Sequence, residues 1–200
     1  MNERSASQEG PKLVISCHAD TGFSSHRMRR TKGGVLVGHM DNFVGVHAVM
    51  NAYFSGRMNY PHIRIELTHG EETDMEGARE VLETLSPGDM VVVVDVTGVP
   101  TKCDFTIEKC RSAAMRSFVR TTLKGMSFEL FEDCPDPIAN EDESDVYSEK
   151  LETVFFLGVP CGDGDYNFGP VSCRESSVEA VTEAIIRLAG AFQEYARGAG

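Results

Sequence analysis

Long apolar runs are scarce in this chain. None approaches the length of about 18 residues that a membrane-spanning helix requires. The first twelve residues, MNERSASQEGPK, contain no apolar segment of the kind that directs secretion, so the sequence predicts a cytoplasmic protein. Basic residues are also few, 19 against 31 acidic ones, for a net charge of −12. Such a chain repels polyphosphate and anionic lipid, which argues against nucleic acid and membrane surfaces as partners. The six cysteines, Cys17, Cys103, Cys110, Cys134, Cys161 and Cys173, lack the paired spacing of zinc knuckles or redox motifs. In a reducing compartment they stay thiols and read as mostly structural. No internal repeat is visible.

What is present suits one globular domain: 200 residues, 41% apolar and 25% charged. Short runs rich in β-branched residues, KLVIS (12–16), GVLVG (34–38), IRIELT (63–68) and MVVVVDV (90–96), read as strands, the last apolar enough to be buried on both faces. Residues 42–54 and 76–85 have helical spacing, the first with Asp41 as its expected N-cap and the second closed by SPGD. SFELF (127–131) and TVFFLGV (153–159) add two strands, and 176–197 reads as a closing amphipathic helix. This alternation predicts an α/β fold, a three-layer αβα sandwich with a largely parallel or mixed central sheet. Residues 1–11 read as a flexible tail, and the acidic, proline-containing segment 132–145 as a solvated loop.

Polar residues with catalytic or ligating chemistry cluster just past the carboxyl ends of these strands. His18 and Asp20 follow the first, Asp41 the second, Glu71 and Glu72 the third, and Asp95 closes the fourth. Open α/β sheets build their sites at this edge. Each residue alone has a plain structural role: Asp41 as a helix cap, Glu71 and Glu72 as acids near a helix start. Asp95, at the end of a buried strand, needs a hydrogen-bonding or charged partner. Together, carboxylates converging beside an imidazole would repel one another without a cation, and that donor set suits zinc, manganese or cobalt.

The blocks HADTGF, GHMDNFVG, LTHGEETDMEGA and VVVVDVTG, in this order, resemble the signatures of the co-catalytic (dinuclear) zinc exopeptidases, closest to the tetrahedral and glutamyl aminopeptidase branch. The resemblance covers most of 13–98 and returns more weakly over 144–195, in SDVYSE and FFLGVP. It implies that His18, Asp41 and Asp95 hold one metal and that Asp41 bridges to a second held by Glu72. It further implies that Asp20 orients the His18 ring and that Glu71 is the general base. The implied reaction is hydrolysis of a terminal peptide or amide bond in a small peptide or acylated amino acid.

The chain departs from the family pattern in two places. In the family a histidine four residues before a glutamate completes the second metal site; here Glu175 stands four residues before Glu179, and no histidine follows His69. Glu175 offers an oxygen in its place and Cys173 a softer ligand, while a helix-capping role for Glu175 is equally open. The branch also inserts an oligomerisation domain where this chain has only SSHRMRRTKGGVLV. Twelve-subunit assembly by that route does not carry over, although a homo-oligomer stays open. His26, His39, His47, His62 and His69 read as surface or core residues, with His39 and His69 near the site in sequence. Two further readings stand beside an active hydrolase: a catalytically inactive relative serving as a binding or assembly subunit, and a metal-free α/β domain whose carboxylates line a ligand pocket.

Overall fold

A computed structural model of the chain describes residues 10–139 and 141–198; most of the expected tail, 1–11, lies outside them. The first half contains strands β1 (Leu13–His18), β2 (Met28–Arg30), β3 (Val35–Gly38), β4 (Ile63–Thr68) and β5 (Met90–Thr97), with helices α1 (Phe43–Phe54) and α2 (Glu76–Thr84). The second half contains β6 (Phe105–Glu108), α3 (Ala113–Thr122), β7 (Phe128–Leu130), α4 (Glu143–Ser148), β8 (Val154–Gly162), β9 (Val171–Arg174) and α5 (Glu175–Gly198).

The strands form a mixed sheet in the order β2-β3-β9-β8-β5-β1-β4, with β6 pairing β8 and β7 pairing β6. Its centre is parallel: β4 with β1, β1 with β5, and β5 with β8. The other flank is an antiparallel ribbon in which β8 pairs β9, β9 pairs β3, and β3 pairs β2. Strands β1 and β5 are buried along their whole length, as their runs of Val, Ile and Leu require. Alternation along them divides the core in two. Leu13, Ile15, Cys17, Val92 and Val94 pack toward α1 and α5, while Val14, Val91 and Val93 pack toward α2 and α4. Each such side chain, fully buried, contributes about 1.5–3 kcal/mol.

The 34–38 strand is in the mixed central sheet as expected, where it lies in the antiparallel ribbon. Other expectations from sequence are corrected. Helix α1 is capped by Asn42, whose Oδ1 accepts from Gly45 N at 3.1 Å, and not by Asp41. The acidic 132–145 segment is not simply a solvated loop, because its end enters α4. There Asp142 caps the helix by accepting from Ser144 N at 2.7 Å, and Glu143 and Ser144 are buried. Acids are favoured in a first helical turn, and here the Lys109 ammonium adds ion pairs of 2.7 Å to both Asp142 and Asp145. All six cysteines are free thiols, with Cys161 and Cys173 facing each other across β8 and β9. Among the described residues no helix is long and apolar enough to cross a membrane.

Candidate metal centre

The parallel strands end on one edge, and β1 and β5 bring His18 and Asp95 there on the face toward α2 and α4. The His18 imidazole is 1% exposed, with Nε2 3.1 Å from Asp41 Oδ1, 3.3 Å from Asp95 Oδ2 and 3.9 Å from Glu71 Oε2. Its Nδ1 lies 3.5 Å from Asp20 Oδ1. Two sets of potential ligands result, His18 with Asp41 and Glu72, and His18 with Glu71 and Asp95.

Loop geometry delivers the remaining groups. Asn42 anchors the turn carrying Asp41, donating from Nδ2 to the Val94 carbonyl at 2.8 Å and to Cys17 Sγ at 3.3 Å, while Thr21 Oγ1 donates to the Asp41 carbonyl at 3.1 Å. Glu71 and Glu72 follow Gly70, which takes a φ of 74° that favours glycine. The Gly70 carbonyl accepts from the N–H groups of Thr73, Asp74 and Met75 and closes the loop. At Gly22 a Cβ would stand 2.9 Å from Glu72 Oε2, so the glycine of HADTGF admits the Glu72 carboxylate.

The electrostatics of the group are those of a site short of positive charge. Among the described residues no lysine or arginine pairs with Asp41, Glu71, Glu72 or Asp95, and both His18 nitrogens, Asp20 Oδ1 and Asp41 Oδ1 are buried without a hydrogen-bond partner. Burial first, then the Asp95 charge, pushes Glu71 up to about 9. Burial likewise carries Asp95 up to about 7 against the attraction of His18, and raises Glu72. For His18 burial opposes the charged form, yet Asp95 and the contacts with Asp20 and Asp41 outweigh it and hold the ring protonated well above its usual range. The contact with His18, 3.5 Å away, holds Asp20 down at about 2. A divalent cation among these atoms would supply the missing charge, and one imidazole with several carboxylates is a donor set that zinc, manganese and cobalt accept.

The structure thus gathers His18, Asp20, Asp41, Glu71, Glu72 and Asp95, and leaves Glu175 out. The Glu175 carboxylate takes hydrogen bonds from Arg30, 2.8 Å from Nε and 2.6 Å from the terminal nitrogen, and lines a separate groove with Phe43 and His47. Cys173 is buried beside Cys161, outside both ligand sets. Of the other histidines, His39 stacks on Phe23 at 4.1 Å, His62 is buried against the Ala189 carbonyl at 3.0 Å, and His69 is exposed beside Glu76. His26 and His47 both contact the ring of Phe43.

A cavity of about 450 Å³ opens beside the group and brings in residues that sequence reasoning missed, among them Glu108, Asp136, Asp142 and Tyr166. The acidic character of 132–145 was visible in sequence, but nothing local indicated that the segment folds back over strand β5. Asp136 fixes it there, accepting from Gly98 N at 2.6 Å and from the Tyr166 hydroxyl at 2.8 Å.

Neither protein-family models nor curated proteins match this chain. Solved structures do. A TET aminopeptidase from a marine-sediment thaumarchaeote superposes with a TM-score of 0.68 at 14% identity, over 86% of this chain and 55% of that one. The TET1 peptidase of Pyrococcus horikoshii, which can assemble into a tetrahedron or a large octahedral shell, gives 0.67 at 14%, over 82% and 53%. Yeast aminopeptidase 1 gives 0.65 at 9%, over 88% and 50%. The chain therefore spans about half the length of the solved structures it matches. It has the αβα fold of these aminopeptidases, with a nine-stranded mixed sheet between helices.

Proposed function

We propose that this chain hydrolyses a terminal peptide or amide bond in an aminopeptidase-like, metal-dependent reaction, with Glu71 as general base. The observation that carries the reading is the buried His18 ring facing three carboxylates within 3.9 Å, with no lysine or arginine paired to them among the described residues. In this reading His18, Asp41, Glu72 and Asp95 would hold two divalent ions, zinc first by donor type and manganese or cobalt as alternatives. Such ions polarise a carbonyl and make water more acidic.

The chain's own groups supply the rest. Asp20 fixes the His18 ring through Nδ1 and thereby its orientation. Glu71 faces the cavity from beside Glu72, takes a proton from the attacking water, and passes it to the nitrogen that leaves as the C–N bond breaks and the C–O bond forms. A cavity of about 450 Å³ suits a small peptide or an acylated amino acid. Turnover of aminoacyl and N-acyl chromogenic amides by zinc-, manganese- and cobalt-loaded protein, run beside Glu71→Gln, tests this; equal turnover by both proteins removes Glu71 as the base.

One observation favours a second reading. His18 serves both ligand sets, and Glu175, the family position of the last ligand, is engaged by Arg30. In that reading the chain is an inactive relative that binds one metal or none and acts as a binding or assembly subunit. Self-association of the chain belongs to the proposal under either reading, because solved neighbours include a dodecamer. Sedimentation of the purified chain decides it.

A further inference from the structure

Across the sheet, Asp95 on β5 stands opposite Gly158 on β8, and Gly158 stands opposite Thr106 on β6. Glu108, two residues beyond Thr106, faces the same side and lines the same cavity as Asp95. A Cβ at Gly158 would stand 2.9 Å from Glu108 Oε1 and 2.7 Å from Thr97 Cγ2. The bare glycine is therefore what lets the Glu108 carboxylate lie over β8 toward the strand that carries Asp95. Two strand spacings, about 9–10 Å, separate β5 from β6, a gap that a long side chain bridges.

Glu108 is 2% exposed, and its own partners are weak for a buried charge. Its carboxylate is met by the Thr106 hydroxyl at 2.6 Å, by the Thr97 hydroxyl and by the Cys134 thiol at 3.8 Å, all neutral groups. No lysine or arginine among the described residues pairs with it. The adjacent Lys109 does not serve, because its ammonium is held by Asp142 and Asp145. Asp136 is satisfied by Gly98 N and by the Thr97 and Tyr166 hydroxyls. The cavity wall also includes the apolar side chains of Phe156 and Met75, which belong to the same face of the sheet as Asp95. Those two apolar side chains beside a buried carboxylate suit a methylene stem with a charged tip.

We infer that this cavity takes a lysine or arginine side chain at the terminal residue of the substrate, and that Glu108 selects it. The inference rests on the reading of the site given above and adds the substrate class. A cationic tip would pair Glu108, whereas a neutral side chain of equal length would leave the carboxylate buried and uncompensated, and an acidic one would add repulsion. Burial, with the charges of Asp136 and Asp142, raises the Glu108 carboxyl, and a bound cation relieves that penalty.

The test compares lysinamide with norleucinamide, which share the α-ammonium and differ by one terminal amino group. Calorimetric binding to zinc-loaded protein carrying Glu71→Gln reads affinity without turnover. Lysinamide is expected to bind at least about tenfold tighter, and Glu108→Gln to erase that difference. Equal affinities in the protein with Glu108 intact overturn the inference, and this arm needs no Glu108 variant to fold. A preference that survives in folded Glu108→Gln overturns the role of Glu108. In the parallel kinetic arm, aminoacyl anilides of lysine, arginine, leucine and glutamate should rank with the basic pair first. Lysinamide selectivity without turnover of any anilide defeats the hydrolase reading and leaves this inference standing; turnover of all four at equal kcat/KM does the reverse.

Discussion

The two flanks of the sheet use their acidic residues in opposite ways. On the parallel side, strands β1, β4 and β5 end on one edge and bring His18, Glu71, Glu72 and Asp95 together, with Asp41, where no lysine or arginine pairs with them among the described residues. On the antiparallel side, Glu175 at the head of α5 meets Arg30 of β2 in a partly exposed ion pair. Parallel strands make convergence a property of the fold, because every carboxyl end points the same way. In the ribbon neighbouring strands run in opposite directions, so Asp41, just past the end of β3, reaches the site while Glu175, just past the end of β9, lies at the opposite edge.

Four substitutions and conditions test that contrast. Glu71→Gln should lower turnover about 10²- to 10⁴-fold while bound metal, measured by elemental analysis, stays unchanged. Asp20→Asn, which breaks the contact with His18 Nδ1, should weaken metal affinity about 10- to 100-fold in a competitive chelator titration. On the ribbon, Glu175→Ala should leave metal stoichiometry unchanged and cost about 0–1 kcal/mol in denaturant unfolding, as expected of a partly exposed pair. A fall in stoichiometry in that variant would erase the distinction between the two flanks.

The pH dependence has a defined sign. Glu71 at about 9 and Asp95 at about 7 are raised, so without metal the folded protein holds protons that the unfolded chain has already released above about pH 4.5. His18, also raised, acts in the same direction above its usual range. The stability of chelator-treated protein should therefore fall as pH rises from about 5 to 9. Metals compete with those protons, so the gain in Tm on adding zinc should widen over the same interval. Asp20, lowered to about 2, has the opposite sign: its stabilising contribution is present above about pH 4 and is lost as pH falls toward 2. Melting curves at pH 3, 5, 7 and 9, with and without zinc, measure all of these changes.

The same contrast explains what was legible in the sequence. β1 and β5 announce themselves through apolar runs rich in Val, Leu and Ile, and β4 through Ile and Leu alternating with charged residues; His18 and Asp95 are conspicuous because a buried strand rarely stops on His or Asp. Strands β2 (MRR), β6 (FTIE) and β9 (VSCR) are three or four residues long and polar in part, too short to show a period. Asp41 and Asn42 are both good helix caps, and only the packing of Asn42 against Val94 and Cys17 decides between them. The place of Glu175 depends on β9 pairing with β3 and β2 with β3, which brings Arg30 alongside, and no local signal contains that. Glu108 was hidden for a related reason: its relation to Asp95 passes through Gly158 on a strand far away in sequence.

The most direct test of the account is a zinc titration of chelator-stripped protein, followed by calorimetry and by elemental analysis after gel filtration. The account expects two zinc ions per chain in the unmodified protein, and loss of binding in folded His18→Ala and Asp41→Asn but not in Glu175→Ala. Absence of tight zinc, manganese or cobalt binding by the folded, unmodified chain would contradict it.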